Sequence, residues 1–85
     1  MIRVAIADDH AVIRKGLQLF MNEDEDVTLV AEAADGEQLL DLLKKIQVDV
    51  LLLDIDMPKI NGLAILREVE VSFPRLKTIV LSMHP

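Results

Sequence analysis

The chain contains no cysteine, no tryptophan and no tyrosine, and Phe20 and Phe73 are its only aromatic residues. Without thiols there are no disulfide staples, no thiolate metal sites and no thiol redox chemistry, which is the usual condition of a cytosolic protein. With two rings in all, the core has to be aliphatic, and there is no Trp or Tyr on which nucleic-acid bases stack. Basic residues are also outnumbered: nine Lys and Arg stand against fifteen Asp and Glu, a formal charge of -6. That balance is a poor match for a phosphate backbone and argues against direct nucleic-acid binding by this segment. No apolar run reaches the roughly 18 residues that a membrane span requires. The amino terminus enters a strand pattern directly, without the charged and long apolar regions of a secretory signal. The expectation is a soluble, cytoplasmic chain with no membrane contact.

What is present is strong aliphatic patterning in one small domain. A chain of 85 residues buries a little more than roughly 60% of the surface its unfolded form exposes, so its core is thin. Residues 2–7 are short and branched and stop at Asp8-Asp9, as a buried strand does. Over residues 11–21, Val12, Ile13, Leu17, Phe20 and Met21 recur at helical spacing with Arg14, Lys15 and Gln18 opposite them, giving an amphipathic helix. Residues 22–26 read as a solvated acidic turn rather than a calcium loop, and the strand signal resumes over 27–31. Asp35 is placed to cap the next helix, whose buried face is Leu39, Leu40, Leu42, Leu43 and Ile46. A strand over 48–53 follows, then a loop punctuated by Pro58 and Gly62, a helix over about 62–71, and a fourth strand over 78–81. This βαβαβαβ order argues a mainly parallel sheet with right-handed crossovers and helices on both faces.

Three carboxylates stand where such a sheet binds ligands, beyond the carboxyl ends of its strands: Asp8 and Asp9 after the first, Asp54 after the third. Brought together they repel, and the group is tolerable when a divalent cation neutralises it or one member takes a proton. The donors are hard oxygens, so Mg²⁺ fits best. A carboxylate beside it, here Asp54, is able to attack phosphorus and become an aspartyl phosphate. Taken singly, Asp8 or Asp9 reads equally as a helix cap, and Ser82 as a locally bonded strand-end hydroxyl. His10 reads as the start of the first helix, without a partner to set its tautomer, and His84 as part of a terminal loop. Met1, Met21, Met57 and Met83 share no helical spacing and read as gap-fillers. Lys44 and Lys45 read as a solvated helix face.

As a set, Asp8-Asp9, Leu53-Asp54-Ile55-Asp56-Met57-Pro58, Asn61-Gly62 and Leu81-Ser82 resemble the receiver domain of two-component response regulators. The loop 57–63 and the ending Leu81-Ser82-Met83-His84 are similar to receivers of LuxR/NarL-type transcription regulators. The resemblance implies an α/β, flavodoxin-like doubly wound parallel sheet of strand order 2-1-3-4. It implies Asp54 as phosphoacceptor, Asp8 and Asp9 as Mg²⁺ ligands together with Asp54 and the backbone carbonyl of Asp56, and Ser82 as the switch hydroxyl. A histidine kinase is the implied upstream partner, with DNA contacts outside these residues.

Receivers of this kind carry a fifth strand ending in a lysine that reaches the phosphoryl group, and no lysine here matches it. Residues 1–85 therefore read as a receiver domain truncated after its fourth strand. The edge at 78–81, and a helix layer left open over the first and third strands, imply self-association or strand exchange. Two rival readings remain. Asp54-Ile55-Asp56 resembles the Asp-x-Asp element of haloacid-dehalogenase-type phosphohydrolases, although that family's acidic pair lies downstream and this one upstream. The other rival is an interaction module whose pocket has no chemistry. A dinucleotide-binding domain fits poorly, since the first turn has no Gly-x-Gly-x-x-Gly.

Overall fold

Branched and small apolar residues carry the chain into β1 (Ile2–Ala7), whose residues Val4, Ala5, Ile6 and Ala7 are buried. A strand covered on both faces reads as a continuous apolar run, because neither side meets water. The computed structural model describes residues 1–23, 25–55 and 61–81. Within them follow α1 (Ala11–Met21), β2 (Val27–Ala33), α2 (Gly36–Lys45), β3 (Val50–Asp54), α3 (Gly62–Ser72) and β4 (Lys77–Leu81). The four strands are parallel and ordered β2-β1-β3-β4, the α/β flavodoxin-like arrangement expected of the sequence. The connection through α1 runs outward from β1 to β2, while those through α2 and α3 run the other way across the sheet. Right-handed crossovers therefore put α1 on one face and α2 and α3 on the other.

The core lies on the α2 and α3 side. Leu39 and Leu43 of α2 and Ile65 and Val69 of α3 pack with Ala5 and Ala7 of β1, Leu51 and Leu53 of β3, and Ala33 of β2. Leu42 and Leu40 join as half-buried flanks, as their spacing on the helix predicts. On the opposite face α1 buries none of its residues fully, and Val12 and Phe20 are 85% and 76% exposed. The amphipathic pattern of α1 is thus only partly used. β1 is open here only at Ile2, Val4 and Ile6 being buried; Ile79 of β4 is exposed and Val50 and Leu52 of β3 half-covered, while Val80, in register with Leu53, is exposed on the α2 and α3 side.

The element ends differ from the sequence reading for local reasons. β2 runs on to Ala33 because a register shift against β1 between Val4 and Ala5 lets Glu32 and Ala33 pair with Ile6 and Ala7. β3 starts at Val50 rather than 48, although the Asp49 N–H still donates to the Arg3 carbonyl at 2.8 Å and its carbonyl accepts from the Lys77 N–H at 3.2 Å; its side chain joins a clamp. The backbone N–H and Nε of Arg3 donate to Asp49 Oδ2 at 2.8 and 3.2 Å, and Arg3 Nη1 donates to Gln47 Oε1 at 3.1 Å. The backbone N–H of Arg3, and then its guanidinium, hold the Asp49 carboxyl below its ordinary value. Asp35 caps α2 as expected, accepting from the Gln38 N–H at 2.8 Å, while Gln38 Oε1 accepts from the Ala34 N–H at 2.9 Å. Asn61 caps α3, accepting from the Leu63 N–H at 2.9 Å. Among the described residues, no helix is long and apolar enough to cross a membrane.

Gly62 opens α3 directly against Ile55, the residue after Asp54. A Cβ there would overlap the Ile55 carbonyl oxygen and backbone carbons, so the position needs an absent side chain rather than an unusual backbone angle. Gly62→Ala is expected to cost about 1–3 kcal/mol through overpacking, read as a lower urea midpoint at unchanged slope. For Asp49 the folded pKa is depressed, so its contribution is present above the unfolded value near 3.8 and is lost as pH falls below it. Urea midpoints of the wild type and Asp49→Asn should therefore differ most above pH 3.8 and converge under acid. A gap that stays constant with pH would remove Asp49 ionisation as its source.

Candidate functional site

Parallel register carries the acids to one end of the sheet. Ala7 of β1 pairs with Leu53 of β3, and Asp8 and Asp54 each follow by one residue. The ladder continues through the site on both sides. The Asp8 N–H donates to the Ala33 carbonyl at 3.0 Å, Asp54 pairs in register with Leu81, and the Ile55 N–H donates to the Leu81 carbonyl at 3.3 Å. The backbones that present Asp8 and Asp54 are therefore fixed by strand pairing rather than carried on loose loops. Asp8 and Asp54 are 2% and 1% exposed, whereas the Asp9 side chain is more open.

His10, at the start of α1, completes the group. Its backbone N–H donates to Asp8 Oδ1 at 2.8 Å, and its ring Nδ1 lies 2.8 Å from the same oxygen, 3.2 Å from Asp9 Oδ1 and 3.7 Å from Asp54 Oδ2. The ring makes no cap bond to the helix amides. The hydrogen bond to the Asp8 carboxylate, followed by the charge of Asp9, raises the imidazole pKa above 6.5, against a smaller opposing effect of burial. The donor atoms of Asp8, Asp9, His10 and Asp54 all lie within 4.8 Å of one another.

The three acids read from the sequence thus come together, Asp8 both meeting a backbone N–H at the helix start and facing the cluster. His10 starts the first helix as expected, but it has three carboxylate neighbours where the sequence suggested none; its place directly after Asp8-Asp9 was the available signal. Asp56, Pro58, Ser82 and His84 lie outside the described residues. Lys77 begins β4 at the far end from Asp54, as the strand direction requires. A cleft of ≈ 750 Å³ lined by Leu43, Val48, Phe73 and Leu76 also opens away from the acids and includes none of them.

The donor set suits a hard divalent cation. Octahedral Mg²⁺ with bonds of about 2.0–2.1 Å sets adjacent donors about 3 Å apart and opposite ones about 4.2 Å apart. A cluster spanning at most 4.8 Å needs only a slight contraction to meet that geometry.

Comparison with known proteins points the same way. Residues 4–85 match the model of the response regulator receiver domain. The transcriptional regulatory protein DegU of Brevibacillus brevis is 37% identical over 83 residues, covering 98% of this chain and 35% of the relative. A protein-glutamate methylesterase/protein-glutamine glutaminase of Nitratidesulfovibrio vulgaris is 39% identical over 83 residues, covering 98% of this chain and 23% of that protein. The chain thus spans about a third or less of the length of these two relatives. Among solved structures, RcsB from Salmonella enterica serovar Typhimurium, bound to promoter rprA in the presence of phosphomimetic BeF3⁻, superposes with a TM-score of 0.93 at 32% identity. That match covers 100% of this chain and 72% of the other. With the fold, the clustered acids and the family match in agreement, the chain belongs to the response regulator receiver domain family.

Proposed function

We propose that this chain accepts a phosphoryl group on Asp54 from the phosphohistidine of a histidine kinase. An Asp54 carboxylate oxygen bonds to phosphorus as the phosphorus–nitrogen bond of the donor breaks, and the leaving nitrogen keeps the electron pair. The observation that carries this reading is the gathering of Asp8, Asp9 and Asp54 within 4.8 Å, with Asp54 almost wholly shielded from water. Asp8, Asp9, Asp54 and the backbone carbonyl of Asp56 would hold Mg²⁺, which when bound offsets charge on the transferring group. Asp54 supplies the nucleophile, Asp8 and Asp9 the balancing ligands, and the strand ladder the fixed approach. Ser82, which directly follows the Leu81 that pairs with Asp54, supplies a hydroxyl to the phosphoryl oxygens.

In this reading the chain is a cytoplasmic signalling module and not a turnover enzyme; Asp54 holds the group and at most loses it slowly to water. Its output is control of transcription, through DNA contacts made by a part of the regulator outside these residues. DegU is named a transcriptional regulatory protein, and RcsB is seen on a promoter, which favours this output over the methylesterase type. The receiver family match gives no support to a phosphohydrolase. The open apolar side chains Ile79 and Val80 on the edge strand β4 further suit contact with a second copy.

Treatment with acetyl phosphate and Mg²⁺, followed by intact-mass measurement, should add one phosphoryl mass that maps to Asp54. Asp54→Asn should abolish it and Asp9→Ala should slow it; catalytic turnover of a generic phosphate ester would instead contradict the reading. A chain with a living acidic pocket also binds Mg²⁺ in titration, whereas a bare interaction module does not. Light scattering should register rising mass with concentration, reversed by Ile79→Lys. A stable monomer throughout the micromolar range would remove the β4 contact.

A further inference from the structure

The ring of His10 is turned into the acid cluster, and this placement is independent of its position at the head of α1. A residue serving only to start the helix would direct its side chain to the free amides of the first turn, and His10 makes no such bond. Its Nδ1 instead lies 2.8–3.7 Å from oxygens of Asp8, Asp9 and Asp54, inside the same 4.8 Å that contains the carboxylate donors. We propose that His10 is a further protein ligand of this cation site, its Nδ1 joining the carboxylates and shifting the site's preference from Mg²⁺ toward divalent metals that accept imidazole nitrogen. The inference rests on the metal-binding reading above and adds a residue that determines which ion is favoured.

The local backbone makes the exchange simple. Asp8 Oδ1 accepts both the backbone N–H and the ring of His10. When a metal displaces the Nδ1 proton that the ring donates to Asp8, that proton passes to solvent, and the backbone bond remains and keeps the ring at the mouth of the site. The neutral imidazole then carries its proton on Nε2, and the half-exposed ring leaves that proton free to meet water. Three carboxylates alone form a hard site of the kind Mg²⁺ favours; one imidazole added to them improves the site for Ni²⁺, which also accepts six-coordinate geometry, far more than for Mg²⁺.

Calorimetric titration of the full chain with Ni²⁺ and with Mg²⁺ tests this, alongside NMR of the Ni²⁺-loaded protein. His10→Ala should lower the ratio of Ni²⁺ to Mg²⁺ affinity by about ten-fold or more, the scale on which altered ligand surroundings change metal binding. The wild type should also show a hyperfine-shifted, exchangeable imidazole N–H resonance that vanishes in His10→Ala and in His10→Gln, the latter keeping a polar side chain beside Asp8. An unchanged affinity ratio, or the lack of that resonance, overturns the role of His10 while Mg²⁺ binding that depends on Asp9 and Asp54 keeps the carboxylate site standing. If neither ion binds, or if Asp54→Ala leaves Mg²⁺ binding intact, the carboxylate site itself fails and the inference falls with it.

Discussion

Two carboxylates presented from neighbouring central strands, with almost no access to water, set the terms for the rest of the molecule. Asp8 and Asp54 have donor oxygens within 4.8 Å and are 2% and 1% exposed. Two like charges at that separation repel by roughly 3–4 kcal/mol at an effective dielectric near 20. A domain of this size has a net stability of about 4–13 kcal/mol, so this one pair opposes a large share of it. The strand ladder is what keeps the acids in place, since the Asp8 N–H and the Ile55 N–H continue the backbone pairing through the site. Side-chain relaxation alone does not relieve the repulsion; positive charge does. The His10 ring donates a hydrogen bond into the cluster, and a divalent cation suits the same space.

The two faces of the sheet carry unequal loads. On the α2 and α3 side, leucines, Ile65 and Val69 close over alanines of β1 and β2 and leucines of β3, giving a continuous aliphatic core beneath the acids. This is the side that packs beneath β3 and Asp54, and Gly62 brings α3 against the residue that follows it. On the α1 side no helical residue is fully buried, and Phe20, one of only two aromatics, is largely in water. An apolar surface of this kind next to an edge strand is unusual for a free surface and suits a binding one. The strands that carry the acids are therefore well packed from the α2 and α3 side, while apolar surface stays open on α1, on β4, and at Leu63 and Val71 of α3.

Much of this was legible in the residues because the signals were local and periodic. Branched runs marked the strands, leucine spacing marked α2, and acids directly after apolar strands marked the site. The parts that were not legible depended on pairing between distant segments. Glu32 and Ala33 carry no strand signal of their own and join β2 because a register shift sets them opposite Ile6 and Ala7. Asp49 keeps backbone bonds to both neighbouring strands, but that its carboxylate meets Arg3, forty-six positions earlier, was not visible in the sequence. Phe20 and Val12 fit a buried helix stripe by spacing, but spacing cannot reveal how much surface lies opposite. The histidine was missed for a similar reason, since a lone His in the sequence has no visible partner until the strands bring Asp54 beside Asp8 and Asp9.

The same electrostatics constrain what the proposed phosphorylation of Asp54 would do to the fold. Exchanging a carboxylate of charge -1 for an acyl phosphate of about -1.5 to -2 adds negative charge at a position already shielded from water. The ring of His10 lies nearby, is half exposed and adjusts position more readily than the buried acids. On that reading a cation serves twice, once to ease transfer and again to keep the phosphorylated site compatible with the folded sheet. On the proposed reading, β4 is the element best placed to respond to the charge that remains. Asp54 and Leu81 share a register position, β4 pairs on one side only, and its side chains Ile79 and Val80 are open. Moving a two-state equilibrium from 1:99 to 99:1 takes about 5.5 kcal/mol. On the proposed reading a single hydroxyl contact supplies only a fraction of that, so a full response at β4 would draw the rest from a partner covering the same edge.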